Sequence, residues 1–165
     1  VNNKLLIRKA EATDIPAIRR IAQATWPSAY GNIISEEQLN YMLGMMYSEQ
    51  SLNEQMEKGH QFYIAELDGN SFGFASVSSE GDGNYKLNKL YVTPITQKTG
   101  AGKALLNEVI GYAKQNGAAK LFLQVNRNNN AKSFYEKNGF RIAREMDLDI
   151  GNGYFMNDYI MELVL

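Results

Sequence analysis

Two glycines stand at the mouth of a long amphipathic helix, in the run Gln97-Lys98-Thr99-Gly100-Ala101-Gly102-Lys103. An apolar strand ending in Leu90-Tyr91-Val92 and Pro94 leads into it. Without side chains at Gly100 and Gly102, backbone N–H groups can approach an anion closely, and the helix start adds partial positive charge. The dipole contributes only about 0.3–2 kcal/mol, so several amides must act together. A Walker A loop aligned on Gly102-Lys103 would need glycine at position 97 and Ser or Thr at 104, where Gln97 and Ala104 stand. A dinucleotide fingerprint fails as well: its third glycine would fall on Leu105, and no acid follows the strand "LFLQVN". What remains is Q-x-x-G-x-G, which reads either as an anion cradle or as a helix start that binds nothing.

Other chemistries are narrowed by what is missing. With no cysteine there is no thiol nucleophile, disulfide or thiolate metal site. The one histidine, His60, would have to serve any Ser-His-acid triad, and no G-x-S-x-G exists. No metal is expected from one histidine and scattered carboxylates. A net charge of −1 without a basic run gives no nucleic-acid footprint. At 44% hydrophobic residues, with no long apolar run, a soluble chain without a membrane partner is expected. The first ten residues lack an apolar core of signal-peptide length, so the expected address is cytoplasmic.

These residues need elements to hold them. Residues 4–10 read as a strand, followed by a helix with Asp14 as N-cap, Pro16 in its first turn, and an end near Trp26. Ser35 with Gln38, and Ser51 with Glu54, resemble capping boxes for two further helices. "QFYIAEL", "SFGFASVS" and "YKLNKLYV" read as strands, the first two joined by hairpin chemistry at Asp68-Gly69-Asn70. Leu105, Leu106, Val109, Ile110 and Ala113 form the buried stripe of the helix after the glycines. "KLFLQV" reads as a strand covered on both faces, "NNNAKSFYEKNG" as a helix capped by Asn. The last two strands meet through Gly151-Asn152-Gly153. The stripe Tyr41, Met42, Met45 and Met46 reads as packing. No linker divides residues 1–165, so one mixed α/β domain is expected.

Downstream, Asn128, Ala131 and Tyr135 stand in N-x-x-A-x-x-x-Y register, followed by Glu136-Lys137-Asn138-Gly139-Phe140. Taken with "LYVTP" and Q-x-x-G-x-G, this resembles the GNAT superfamily of N-acetyltransferases over about residues 90–140. The resemblance implies a mixed, mostly antiparallel sheet of about seven strands, with a central splayed parallel pair and flanking helices. It implies acetyl-CoA as acetyl donor, its pyrophosphate on the amides from Gln97 through Lys103. The pantetheine arm would add to the backbone of Leu90, Tyr91 and Val92, with Asn128 and Ala131 beside it. Tyr135 would serve as general acid toward the leaving thiolate. N–H groups near Val92 would stabilise the oxyanion of a tetrahedral intermediate formed by direct amine attack.

One departure matters. Many relatives carry glutamate four residues before the strand leucine, where this chain has Lys86. The base must therefore come from elsewhere, with Glu66 one candidate, or the amine must bind neutral. For the acceptor, Trp26, Tyr30, Tyr154 and Phe155 would line an aromatic slot, while Glu36, Glu37 and Asp158 would attract a cation. Each has a structural alternative in core packing or a solvated helix start. "TWPSAYG" and "FMNDYIMEL" are similar to a bacterial branch that acetylates spermine and spermidine, so a small amine is expected. A peptide α-amine acetyltransferase and a non-catalytic coenzyme-binding module are the alternatives. The final hairpin is where a homodimer contact would form.

Overall fold

Asp68-Gly69 and Asn152-Gly153 each turn the chain with both residues at positive φ, 53° and 80° in the first pair, 55° and 79° in the second. That is the two-residue hairpin geometry whose twist suits the flanking strands. The first turn joins β2 (Gln61–Leu67) to β3 (Asn70–Ser79), and the second joins β6 (Arg141–Gly151) to β7 (Tyr154–Val164). The computed structural model describes residues 5–31, 33–94 and 99–165. Lys4, Gln97 and Lys98, which figure in the sequence reading, lie outside the described residues.

With β1 (Leu5–Lys9), β4 (Asn84–Val92) and β5 (Lys120–Asn126), the strands form one seven-stranded sheet in the order β1-β2-β3-β4-β5-β7-β6. Every pair is antiparallel except β4 with β5. α4 (Ala101–Gln115) makes that parallel crossover, as parallel neighbours require. This is the mixed sheet that the resemblance implied.

Alternation along β2 divides the core. Phe62 and Ile64 face α1 (Ile15–Tyr30), α2 (Glu36–Tyr47) and α3 (Glu49–Glu57), with Ile18, Trp26, Met42, Leu52 and Phe74. Tyr63 and Ala65 face α4, with Leu105, Leu106, Val109, Leu121 and Met161. Among the described residues no helix is long and apolar enough to cross a membrane.

Several local expectations need correction. α1 does not stop at Trp26 but continues through Pro27 to Tyr30. Proline lacks an N–H, so that turn forgoes a helical hydrogen bond, and packing of the surrounding side chains outweighs the loss. Asp14 precedes α1, yet its carboxylate binds Arg8 at 2.8 and 3.0 Å and the Glu11 N–H at 2.8 Å instead of capping the helix. Ser35 Oγ accepts from Gln38 N at 3.1 Å, but Gln38 sends its amide to Phe155 O at 2.9 Å, so half of the expected capping box forms. α3 begins at Glu49, with Ser48 Oγ accepting from Ser51 N at 3.1 Å, three residues before the expected cap. β5 is covered fully on one face only, since Leu121, Leu123 and Val125 are buried while Phe122 and Gln124 are half-buried.

The methionine stripe of α2 also divides: Met42 is 2% exposed in the core, whereas Met45 is 41% exposed. Met42→Ala is therefore expected to lower unfolding free energy by about 2–5 kcal/mol, and Met45→Ala by less than about 0.5 kcal/mol. Urea titrations of the two variants beside the parent measure that difference.

Candidate functional site

The site begins with one extra residue in β4. From Gly73↔Val92 to Ser76↔Lys89, β3 and β4 pair one to one; Val77 then faces Leu87, which leaves Asn88 over. The Asn88 amide donates to Ser78 Oγ at 2.9 Å, fixing this bulge in place. A bulge bends its strand and sharpens its twist. β4 accordingly pairs with β5 only over Asn84–Leu87, against Lys120–Leu123, and the two strands separate beyond it.

The gap between them is lined by Leu87, Lys89, Tyr91, Leu123, Gln124 and Tyr135. It adjoins a cleft of about 550 Å³ bounded by Leu90, Val92, Gly102, Asn128, Ala131 and Phe134, among others. Thr93 N donates to Phe72 O at 2.9 Å, so its N–H faces β3. Alternation then turns the peptide groups of Val92 and Leu90 toward the gap.

At the head of α4, Gly100 takes φ +84°, a left-handed conformation that costs a side-chain-bearing residue about 1–2 kcal/mol. Ala104 N donates back to Gly100 O at 3.0 Å, and Ala101 N to Thr99 Oγ1 at 3.4 Å. The helix start leaves the amides of Gly102 and Lys103 without helical acceptors. A Cβ on Gly102 would sit 3.7 Å from the Phe134 ring, so this glycine forms part of the cleft floor.

α5 (Ala131–Lys137) follows β5 closely, and its first N–H, that of Ala131, donates to Asn129 Oδ1 at 2.8 Å. Asn129, a residue before the formal cap, thus satisfies the helix start. Asn128 is exposed on the cleft rim, its N–H held by Asn126 Oδ1 at 2.9 Å. Tyr135 is the buried residue, 8% exposed, while Phe134 is half-buried on the cleft wall. The Tyr135 ring is clamped edge-on between Phe134 at 5.3 Å and Phe140 at 5.5 Å. Burial raises the Tyr135 phenol above its ordinary pKa, keeping it protonated at neutral pH.

A family model for the acetyltransferase (GNAT) domain matches residues 32–155. The chain belongs to the GNAT acetyltransferases. A spermidine N(1)-acetyltransferase of Thermoplasma acidophilum is 29% identical over 162 residues, covering 94% of each chain. An uncharacterized N-acetyltransferase of Mycobacterium tuberculosis is 30% identical over 151 residues, 90% of this chain and 96% of that one. Among solved structures, the PaiA N-acetyltransferase of Thermoplasma acidophilum in complex with coenzyme A superposes with a TM-score of 0.85. It is 27% identical and covers 98% of this chain and 99% of that one.

Within this GNAT sheet, the expected acceptor residues separate into wall and core. Trp26 lines no slot: it is 2% exposed, its ring packed on Tyr30 at 4.7 Å, Tyr47 at 5.6 Å and Tyr91 at 5.8 Å. An indole this large on the inner face of α1 is held in the core by its apolar area. Tyr30 does reach the gap, where its hydroxyl lies 3.0 Å from that of Tyr91. Burial raises the pKa of both phenols, so they act as neutral hydrogen-bonding groups. Tyr154 packs on the Tyr41 ring at 5.4 Å, and Phe155 is 52% exposed. Glu36 and Glu37 are exposed in the first turn of α2, where the helix dipole favours acids.

Glu66 is not available as a base, because its carboxylate accepts from Arg8 Nε at 2.9 Å. Lys86 donates to Gln124 Oε1 at 2.8 Å, its pKa lowered by burial. Lys89 was not singled out from sequence. It lies 5.1 Å over the Tyr47 ring in the gap, and burial, with Lys86 adding repulsion, brings its pKa down to about 8.

Asp158 is the acid that the fold isolates. It is 0% exposed, and neither carboxylate oxygen has a hydrogen-bond partner among the described residues. Burial pushes its carboxyl up to about 6, against the opposing pull of Arg127 and Lys86. Its unfolded value is about 3.9, so the folded chain binds the extra proton between roughly pH 4 and 6, and stability falls as pH rises through that window. Asp158→Asn removes the ionised form, and the variant is expected to unfold at a higher temperature than the parent above pH 6. The gap should be no more than about 3 kcal/mol and should close below about pH 4. Melting curves at pH 4 and pH 8 measure it.

Proposed function

We propose that this N-acetyltransferase moves the acetyl group of acetyl-CoA onto a primary amine, and that the acceptor is a small amine such as a polyamine. The observation that carries the reading is the gap between β4 and β5, opened by the Asn88 bulge and edged by the buried Tyr135 hydroxyl. It adjoins a cleft large enough to hold a coenzyme arm. Coenzyme A in the PaiA structure and spermidine as the acceptor named for the Thermoplasma relative support the same reading.

When bound, acetyl-CoA supplies a thioester carbonyl open to direct attack, through a tetrahedral intermediate. The chain's own groups have separate tasks. Amides of Gly100, Ala101, Gly102 and Lys103 would receive the pyrophosphate with Thr99; Gln97 and Lys98, also assigned there, lie outside the described residues. The peptide groups of Leu90, Tyr91 and Val92 would hold the arm as an added strand, with Asn128 and Ala131 on its other side. An N–H near Val92 would face the developing oxyanion. Tyr135, which burial keeps protonated, would hold its hydroxyl hydrogen against the departing sulfur, stabilising the thiolate and passing it a proton as the nitrogen gives up its own to the phenol.

A peptide α-amine as acceptor would need an open groove. The cavity of about 20 Å³ beside Tyr30, walled by Gln38, Phe155 and Asp158, has room for about one ammonium-sized group. The seven strands share one sheet, which supports reading residues 1–165 as one domain. Among the described residues the outer edge of β6 has no strand beside it, and it would be the surface for a homodimer. A cytoplasmic setting would suit this co-substrate.

Thiol release from acetyl-CoA with spermidine, lysine peptides, N-terminal peptides and aminoglycosides decides between acceptors. Spermidine is expected to react fastest, and silence with every amine would leave a coenzyme-binding module. Tyr135→Phe is expected to retain acetyl-CoA affinity in calorimetry while turnover falls at least tenfold. Unchanged turnover would remove Tyr135 from the mechanism.

A further inference from the structure

Resting on the reading above, we propose that Asp158 receives the acceptor's ammonium group in the cavity beside Tyr30 and takes its proton. The reaction needs such a group. An amine of pKa about 10.4 is neutral in only about one molecule per few thousand at pH 7. Lys86, on β4, is a cation that donates to Gln124 at 2.8 Å and cannot serve. Glu66 is occupied by Arg8 at 2.9 Å.

Asp158 meets the requirement by position. It pairs with Asn126, the last residue of β5, at the end of that strand where β5 has left β4, β7 lying along the other edge. Its cavity is lined by Tyr30, Gln38, Gln124, Asn126, Phe155 and Met156. Tyr30 and Gln124 line both this cavity and the gap that holds Tyr135, so the acid's cavity and the reacting end of the site share two walls. A buried carboxylate with both oxygens unsatisfied is costly, and a cation is the ligand that relieves it.

Charged and titratable groups around it are few. Arg127, in the loop after β5, and Lys86, on β4, act on Asp158 through space. Arg127 is itself engaged by Glu145 at 3.7 Å and by Asp147, both on β6. From α1 comes the Tyr30 phenol, whose pKa burial has raised, while Gln38, Gln124 and Asn126 are neutral amides and Met146 is the β6 neighbour in register. Neither cation lies within hydrogen-bonding distance of either Asp158 oxygen.

The proton balance closes without a further reagent. R–NH3⁺ gives one proton to the carboxylate, the freed lone pair forms the N–C bond as the carbonyl becomes an oxyanion, and collapse of that tetrahedral adduct breaks the C–S bond. The second proton leaves the new amide nitrogen, while sulfur receives one from Tyr135, which is restored by it. Asp158 then returns its proton to solvent, for one proton released per turnover.

Asp158→Asn keeps shape and removes the base. With spermidine, kcat/KM is expected to fall at least 30-fold, with acetyl-CoA affinity by calorimetry within about twofold of the parent. The acid limb of the pH–kcat/KM profile should flatten in the variant. With trifluoroethylamine, already neutral at pH 7, the loss should be at least tenfold smaller, a contrast that a purely structural role would not produce. Asp158→Ala tests the same point if the asparagine variant folds poorly, and added formate should restore part of its rate. A variant that binds acetyl-CoA and acetylates spermidine within threefold of the parent overturns this proposal and leaves the function above intact. Equal losses with both amines also overturn it. A parent protein that binds no acetyl-CoA removes both.

Discussion

A sheet can open a slot in its middle only where two neighbouring strands stop sharing hydrogen bonds, and the peptide groups so released need another partner. Here that parting follows from Asn88. One extra residue between Lys89 and Leu87 bends β4 away from β5 after Leu87. The space lined by Leu87, Lys89, Tyr91, Leu123, Gln124 and Tyr135 depends on this parting. Gly73 permits the close packing that backs it, since a Cβ there would come within 3.1 Å of Tyr91 O and 3.2 Å of Val92 Cγ2. A backbone defect is thus braced by tight contacts on the opposite side.

Around the gap, charge is distributed unlike the rest of the surface. Lys86 and Lys89 are drawn down by burial, Asp158 is pushed up, and the three phenols of Tyr30, Tyr91 and Tyr135 are held neutral. Groups poised this way cluster where protons move. The Arg8–Asp14–Glu66 network offers a contrast: its members satisfy one another at 2.8–2.9 Å and staple β1 to β2 and to the start of α1. One set is saturated and structural. The other is left partly unsatisfied, and stability is what it gives up.

How much of this was legible depends on whether the cause is local. Asp68-Gly69 and Asn152-Gly153 announced their hairpins because positive φ is a property of the residues themselves. Leu105, Leu106, Val109 and Ala113 announced the α4 face because helical period is local too. Nothing in "YKLNKLYV" marks Asn88 as surplus, since a bulge exists only relative to the partner strand. α1 passing Pro27 was hidden for a similar reason: tertiary packing outweighs one lost hydrogen bond. The seven residues of α5 are too few to fix a face by periodicity, so the burial of Tyr135 beside a half-buried Phe134 was not legible in them. Tyr30 and Asp158 were named from residue type, but the burial of Trp26 and of the Asp158 carboxylate comes from neighbours far along the chain.

Gln38 and Tyr41 stand one turn apart on α2 and reach across to the final hairpin. Gln38 holds Phe155 O at 2.9 Å, and the Tyr41 hydroxyl donates to Ile150 O at 3.0 Å. Helix and hairpin therefore close the small chamber from two sides without touching the reacting atoms. Two neutral hydrogen bonds amount to about 1–3 kcal/mol net, so thermal motion parts them in roughly one molecule in six to about one in a hundred and sixty. Under the proposed function, slender methylene chains would thread in during such excursions, whereas rigid rings would have to hold the fissure apart. Selectivity by girth would then reside in a polar latch between helix and hairpin, away from every bond that is made or broken.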